Sequence, residues 1–505
     1  MLSKYSVIPC FLRQFRNVYK NLPIRYCSTV GEVVDEKFNA KPVILGQPTS
    51  ETHPHLINDG EIGPGIQREE YQKRRENLMN NIHEYVSRYN PNTSPSPHLI
   101  IIPSAVKQYM SDKIPYVFRQ NSDFYYLTGS LEPDSCLIMY VNGDARKTTL
   151  FVRPKDKQSE MWDGPRTGTE NAVDLFGIDE ALSNSDLEPF INSHLKPSKN
   201  MFVWHDFLNP IQIEVSKTVK TALSKLVNRR WESPIPFVHR LRVIKSPAEI
   251  ALMEKTCEIA SEAFIETMKH SKPGCSEHEL FARVDFESRM RGAEYLAYPP
   301  VVAGGPRANT IHYVNNNQIV NDGEMVLMDA GCEYHGYTSD ITRTWPVNGK
   351  FSAEQQILYE IILDIQKELI KLCVELPSID QLFDEMSTML GQRLGEAHII
   401  SNRLSSEDKT KMAFKFCPHH VSHYLGMDVH DTPSVSRKEK LQSGMVITME
   451  PGIYIPEHFY VPEQFRGIGI RIEDDILITE SGPQVLSKKC PKDIAEINKV
   501  VNAQH

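Results

Sequence analysis

From residue 69 the run EEYQKRRENLMNNIHEYV sets Tyr71, Leu78, Met79, Ile82 and Val86 at helical spacing, which predicts an amphipathic helix over 69–86. The pattern then changes to short apolar runs, HLIIIPSAV (98–106), CLIMYV (136–141) and KTTLFVRP (147–154), each of strand length. Strands alternating with helices predict an α/β domain over 67–230. A second unit opens at SPAEIALMEKTCEIASEAF, where Ser246 is a good N-cap, Pro247 suits the first turn and Glu249 completes a capping box. Ile250, Met253, Cys257, Ala260 and Phe264 form its apolar face, and KPG at 272–274 stops the helix. From about residue 300 the period becomes two, with Gly-rich turns and one helical stretch near 352–375, so 243–505 is expected as a second domain. No repeat or low-complexity tract interrupts it.

Before the first helix, residues 32–66 are rich in Pro, Gly and Thr and are expected as an extended connector. Residues 1–31 carry five basic side chains (Lys4, Arg13, Arg16, Lys20, Arg25) and no acid, interleaved with Leu2, Phe11, Leu12 and Phe15. That composition is expected of a mitochondrial transit peptide, with the matrix as the main location beside some cytosolic pool. A net charge of -9 argues against nucleic acid as the main partner, because phosphate binding needs a positive field. No stretch approaches the roughly 20 apolar residues of a membrane helix, so no membrane partner is expected. The nine cysteines show no CxxC pair, which fits reduced thiols in an intracellular compartment.

Candidate chemistry concentrates in four stretches of the second unit. HHVSHYLGMDVHD (419–431) holds four histidines and two aspartates, open to reading as a metal loop, a pH sensor or chance. EMVLMDAGCEYHGYTSDITRTWPV (324–347) reads as two strands joined by a Gly-containing turn, with Asp329 ending one and Asp340 eleven positions on in the other. An unpaired carboxylate in such a strand costs several kcal/mol unless arginine or metal compensates it; exposed turn-capping aspartates are the alternative. VITMEPGIYI (446–455) sets Glu450 in a strand that Pro451-Gly452 breaks. GIGIRIEDDILIT (467–479) points Ile468, Ile470 and Ile472 one way and Arg471 and Glu473 the other, which an exposed ladder would also explain. Taken together, Asp329, Asp340, Glu450, Glu473 and one histidine of 419–431 form a set that cannot share a site while ionised unless cations bind. Four carboxylates and an imidazole suit two divalent ions roughly 3.5–4 Å apart. So oxygen-rich a set favours Mn²⁺, with Zn²⁺ or Co²⁺ as alternatives, and hydrolysis by an activated water is the implied chemistry.

The contexts MDAG, SDITRTW, SHYLGMDVHD, MEPGIYI and GIRIEDD, in this order, resemble the pita-bread metallopeptidases, and within them the aminopeptidase P family. FRQNSDFYYLTG (118–129) and MWDGPRTGTENA (161–172) resemble that family's non-catalytic first domain. GQPTSETHPHL resembles its mitochondrial branch, to which intermediate-cleaving peptidases are related. The resemblance implies an N-terminal α/β domain followed by a pita-bread α+β catalytic domain. It implies His423 as the metal ligand beside Asp329, Asp340, Glu450 and Glu473, with Glu450 also the proton acceptor. It places His312 against the reacting peptide, His430 by the far carbonyl, His419 on the pocket wall, Tyr298 along the substrate, and Arg471 beside Glu473 and its neighbours. His420 stands where the broader family has glycine and is given no role. His335 is expected as a solvated turn residue, Cys332 as a small filler, and His53 and His55 as local supports. The implied substrate is a peptide or protein N-terminus with proline second. Alternatives are a single destabilising N-terminal residue, a prolidase-type dipeptide, or a binding module with a vestigial site. A homodimer joined through the first domain is expected.

Overall fold

The apolar run at 98–103 is buried throughout because it lies inside a six-stranded mixed sheet, with side chains packed on both faces. The computed structural model describes residues 42–89, 97–196, 201–226 and 229–504, of which 44–504 lie in one compact unit. The first helix, α1 (Arg68–Tyr89), buries all five residues of its predicted face and, in addition, Arg74 and Arg75. The sheet comprises β1 (His98–Pro103), β2 (Cys136–Asn142), β3 (Ala145–Val152), β4 (Glu180–Ser183), β5 (Phe202–Trp204) and β6 (Arg230–Glu232), in the order β6-β5-β1-β2-β3-β4. Ile100, Ile102, Leu137 and Met139 face α1, while Leu99, Ile101 and Ile138 face the helices on the other side. Two further helices, α2 (Ser122–Thr128) and α3 (Ile235–Arg242), lead toward the second half.

That half starts with α4 (Pro247–His270), capped as its sequence predicts by reciprocal bonds between Ser246 and Glu249. α5 (Glu277–Met290) repeats the device with Ser276 and Glu279. Three antiparallel strands follow, β7 (Val301–Gly304), β8 (Met325–Ala330) and β9 (Ile341–Pro346), in the order β7-β8-β9. Helices α6 (Ala353–Leu372), α7 (Ile379–Glu396) and α8 (Ser406–Phe416) pack on one another before the chain returns to strands. These are β10 (Val446–Met449), β11 (Gly452–Tyr454), β12 (Gly469–Arg471), β13 (Asp474–Thr479) and β14 (Gly482–Val485); β10-β13-β14 form one sheet and β11-β12 a hairpin. One apolar cluster joins the halves: Tyr71 and Ile100 share it with Met253, Leu425 and Leu477.

Several expectations change. Within 42–66 the chain is more than an extended connector, since Glu61 pairs with Gln67 in a short hairpin and Ile62 and Ile66 enter the shared core. The first sheet runs to Glu232, just past the expected boundary at 230. α7 and α8 were hidden behind an apparently strand-rich pattern. β8 and β9 pair from Met325↔Pro346 to Ala330↔Ile341, but a small second hairpin, Cys332–Tyr334 with Tyr337–Thr338, is inserted where a simple turn was expected. The basic, acid-free segment 1–31 lies outside the described residues, as does the connector before residue 42. The described cysteines are buried free thiols.

Candidate metal centre

Strand pairing brings distant carboxylates into a row. Asp329 on β8 stands opposite Thr342 on β9, and Thr342 in turn bridges to Glu473 between β12 and β13. Asp340 precedes Thr342 by two positions and therefore shares its face. Gly331 permits this turn: a Cβ there would sit 1.7 Å from the Ser339 carbonyl oxygen. On the other side, the segment carrying His423 adds itself along β10, through Thr448 N–H to the His423 carbonyl (3.0 Å) and the bridge Tyr424↔Ile447. Glu450 follows two residues after Thr448, where Pro451 ends the strand, and its N–H bonds the Val421 carbonyl (2.9 Å).

All five residues line one cavity of about 200 Å³. Candidate ligand atoms of Asp340, His423 and Glu473 lie within 4.8 Å of one another. His423 Nε2 is 3.4 Å from Asp340 Oδ2 and 3.6 Å from Glu450 Oε1. Asp329 is held by Arg471 Nη2 (2.6 Å) and by the Tyr298 hydroxyl (2.6 Å), which also reaches Asp340 Oδ1 (2.5 Å). Thr342 donates to Glu473 Oε2 (2.6 Å) and accepts from Arg471 Nε (3.1 Å).

The electrostatics all point one way. Burial, with the charges of Asp340 and Asp329, pushes Glu450 up to about 7 against the pull of His423 and Arg471. Burial and then the Asp340 and Glu450 charges lift Glu473 well above the carboxylate range, and burial raises Asp340 as well. Burial opposes charge on His423, yet the hydrogen bond to Asp340 and the Glu450 charge outweigh it and raise His423 to about 9. Each shift is a demand for positive charge, and Arg471 is the one guanidinium that contacts the cluster among the described residues. Hard oxygen donors plus one imidazole, held converging and over-supplied with negative charge, fit divalent cations.

The remaining expected residues fall in three positions. His312, His419 and His430 line the same cavity, and the His430 ring stands 4.5 Å from that of His423. His419 Nε2 meets the Tyr454 hydroxyl (2.8 Å), while burial and Arg471 depress it to about 4, so it is neutral. Tyr298 sits behind Asp329 and Asp340 instead of along the cavity, so its role is to hold the acids. Arg471 is buried, which rules out the exposed ladder, and its Nε bonds Thr342, which in turn donates to Glu473. His335 is not solvated: its Nδ1 pairs with Glu294 at 3.0 Å, with the side chain 15 % exposed. His420 also lines the cavity and pairs with Asp380 at 3.4 Å.

Three contributors escaped the sequence. Thr342 couples Arg471 to Glu473, Tyr454 couples Arg471 (2.6 Å) to His419, and Asp475 accepts from the Asp340 N–H (3.0 Å). The second aspartate of EDD was a usable signal for the last, being a further carboxylate in an apolar strand.

Comparison with known proteins identifies the family. The model of Metallopeptidase family M24 matches residues 251–480, and that of Aminopeptidase P, N-terminal domain, matches 71–204. Xaa-Pro aminopeptidase 3 of Mus musculus is 46% identical over 464 residues, 90% of each chain. Mitochondrial intermediate cleaving peptidase 55 of Arabidopsis thaliana is 39% identical, over 91% of this chain and 88% of its own. The solved structure of Zn-substituted E. coli aminopeptidase P in complex with product superposes with a TM-score of 0.79 at 34% identity, covering 87% of this chain and 99% of that one. The expected pita-bread domain behind an N-terminal α/β domain therefore holds. The chain belongs to the aminopeptidase P family of M24 metallopeptidases and is a metal-dependent aminopeptidase.

Proposed function

We propose that the chain releases the first residue of peptides and imported proteins in which proline stands second, using Asp329, Asp340, His423, Glu450 and Glu473 to hold two divalent ions, Mn²⁺ first among them. The observation that supports this most is the convergence of four carboxylates and one imidazole on a cavity walled by His312, His419 and His430. Bound there, the ions would supply Lewis-acid charge and a water nucleophile at neutral pH. The substrate's free α-amine would bind beside the ions and their acidic ligands, which makes the reaction exopeptidic. Glu450, at the cavity beside the other acids, takes the proton of the attacking water and delivers it to the leaving proline nitrogen. His312 at the cavity rim hydrogen-bonds the reacting peptide, and neutral His430 donates to the next carbonyl. A tertiary amide suits the site because no N–H has to be accommodated.

The relatives named for Xaa-Pro cleavage favour proline; the intermediate cleaving peptidases favour a second reading, trimming of one destabilising residue after presequence removal. Hydrolysis of Leu-Pro-Ala, Leu-Pro and a Tyr-Ser-starting peptide, with Mn²⁺ and with chelator, separates these. Chelator-sensitive release of Leu from the tripeptide is expected, and an inert metal-loaded protein would overturn the proposal. The acid-free N-terminus and a mitochondrial relative support location in mitochondria, in the matrix. Residues 1–35 fused to a fluorescent reporter should direct it there; a diffuse cytosolic signal would argue otherwise. For the oligomer we infer a homodimer through the first domain. A hairpin there exposes Tyr109, Met110 and Ile114 beside exposed Trp162, around a cleft edged by Lys107, Lys113, Asp112 and Asp163. An apolar patch rimmed by both signs of charge complements its own copy. Sedimentation equilibrium giving the monomer mass would refute it.

A further inference from the structure

His312 is exposed, and among the described residues its imidazole takes part in no hydrogen bond or ion pair. Its place at the cavity is therefore set by the backbone that carries it. That backbone, residues 305–318 between β7 and β8, has no ladder partner of its own across 310–318. Two buried side chains hold it: Asn316, within the loop, accepts from the Val302 N–H (2.9 Å) and donates to the Pro300 carbonyl (2.9 Å), and Glu277 makes the larger set of ties on both sides of His312. Glu277, the first residue of α5, has a side chain 0 % exposed. Its Oε1 accepts from the Gly304 N–H (2.9 Å) and from Arg307 Nε (2.6 Å). Its Oε2 accepts from the Tyr313 hydroxyl (2.8 Å) and from the Gln318 N–H (2.9 Å). The backbone of Glu277 adds a fifth tie, from its N–H to the Gln318 carbonyl (2.9 Å). These anchors bracket His312 on both sides, the nearest being its own neighbour Tyr313. Ile311 and Tyr313 also pack on the small apolar cluster of Val301, Ala303, Ala308, Leu327 and Tyr454, leaving the intervening His312 as the residue of the three that does not.

We infer that Glu277 is a positioning residue for catalysis: it touches no substrate, but fixes the loop that presents His312 to the reacting peptide. Four charge-assisted acceptor contacts made by one buried group are strong ties, and removing the group strands two N–H donors, a hydroxyl and a guanidinium. The loop would then relax. A catalytic group displaced by about 1 Å can cost about 100-fold in rate. The inference rests on the proposed role of His312, and a double-mutant cycle tests the two separately.

Leu-Pro-Ala turnover is measured for Glu277→Ala, Glu277→Gln, His312→Ala and the paired variants, each reconstituted with Mn²⁺ and assayed for bound metal by elemental analysis. Glu277→Ala should lower kcat about 10- to 100-fold, with KM held within about threefold and metal content as in the parent. Glu277→Gln keeps one acceptor oxygen and should fall between; it also carries the test should the alanine variant fail to fold. In the His312→Ala background the same changes should cost less than about threefold, because there is no imidazole left to misplace. Equal losses in both backgrounds would overturn the inference while leaving the role of His312 standing. Parent-level kcat in Glu277→Ala, or metal loss accompanying its defect, would overturn it too. Parent-level kcat in His312→Ala would remove the reading on which it rests.

Discussion

Glu450 meets two requirements at once: its carboxylate belongs to the acid cluster proposed to hold the ions, and it faces the cavity in which the proton of the attacking water has to be accepted. Glu450→Ala should leave the melting transition within a few degrees of the parent while lowering kcat by at least about 1,000-fold; substantial residual turnover by metal-loaded protein would refute the double role. His430 stands against His423 without being placed among the carboxylates, so His430→Ala should reduce kcat about 10- to 100-fold with metal content unchanged. A halved metal content would mean the two histidines had been exchanged. The four proposed acidic ligands stood out in the sequence because each sits in or beside a strand where an unpaired carboxylate is costly, whereas the choice of His423 among the histidines of 419–431 came from the family resemblance. Thr342 and Tyr454 did not stand out, since a hydroxyl in a strand is ordinary until the pairing shows what lies across from it.

At the scale of elements, caps were the most readable feature. Ser246 and Glu249 lock the start of α4 through bonds between neighbouring residues, which sequence alone specifies. Helices α7 and α8 were not read, although Ser378 and Gln381 form a capping box of the same kind at the start of α7. The two helices cross at Gly391, where a Cβ would lie 2.4 Å from the Lys409 carbonyl oxygen. Gly391→Ala gains up to about 1 kcal/mol of helix propensity and loses about 1–3 kcal/mol to forced separation of the helices. The clash wins, since backbone is what must move. A lower urea midpoint with unchanged m-value is the expected result, and a raised midpoint would show that α8 can shift freely.

Across the whole molecule, the halves are tied by one core and by buried charge: Arg242 on α3 reaches Asp123 on α2 (2.6 Å) and Asp428 (2.8 Å), and it also pairs with Asp431. Asp428 and Asp431 flank His430, and Ser122 (2.6 Å) and Arg119 (3.1 Å) of the first domain bond Asp428 directly, so that domain helps to fix the segment carrying the proposed substrate contact. The first sheet also makes stability pH-dependent. His98 is buried, 3 % exposed, and accepts from Trp204 Nε1 (3.3 Å); burial, then His83 and Arg146, depress it to about 4. Unfolded, the same ring binds a proton near 6.5. Between these values the unfolded chain holds the extra proton, so stability is complete above about 6.5 and declines as pH falls toward about 4, by on the order of 3 kcal/mol in total. Guanidinium unfolding at pH 7 and pH 5 should show the decline, and His98→Phe should shrink it; an unchanged slope would show that other groups cause it.

The sequence alone determined part of the local chemistry: the helical faces of α1 and α4, the cap at Ser246 and Glu249, and which carboxylates would be costly if their strands were buried. Those properties depend on neighbours within a few positions, and a linear chain states them directly. Only the folded chain decided that Asp329, Thr342 and Glu473 lie in one row, that Tyr298 stands behind the acids, and that one buried glutamate at position 277 ties down the loop of His312. Register across strands and contacts between distant loops are set by packing of the whole core, and no local pattern encodes them.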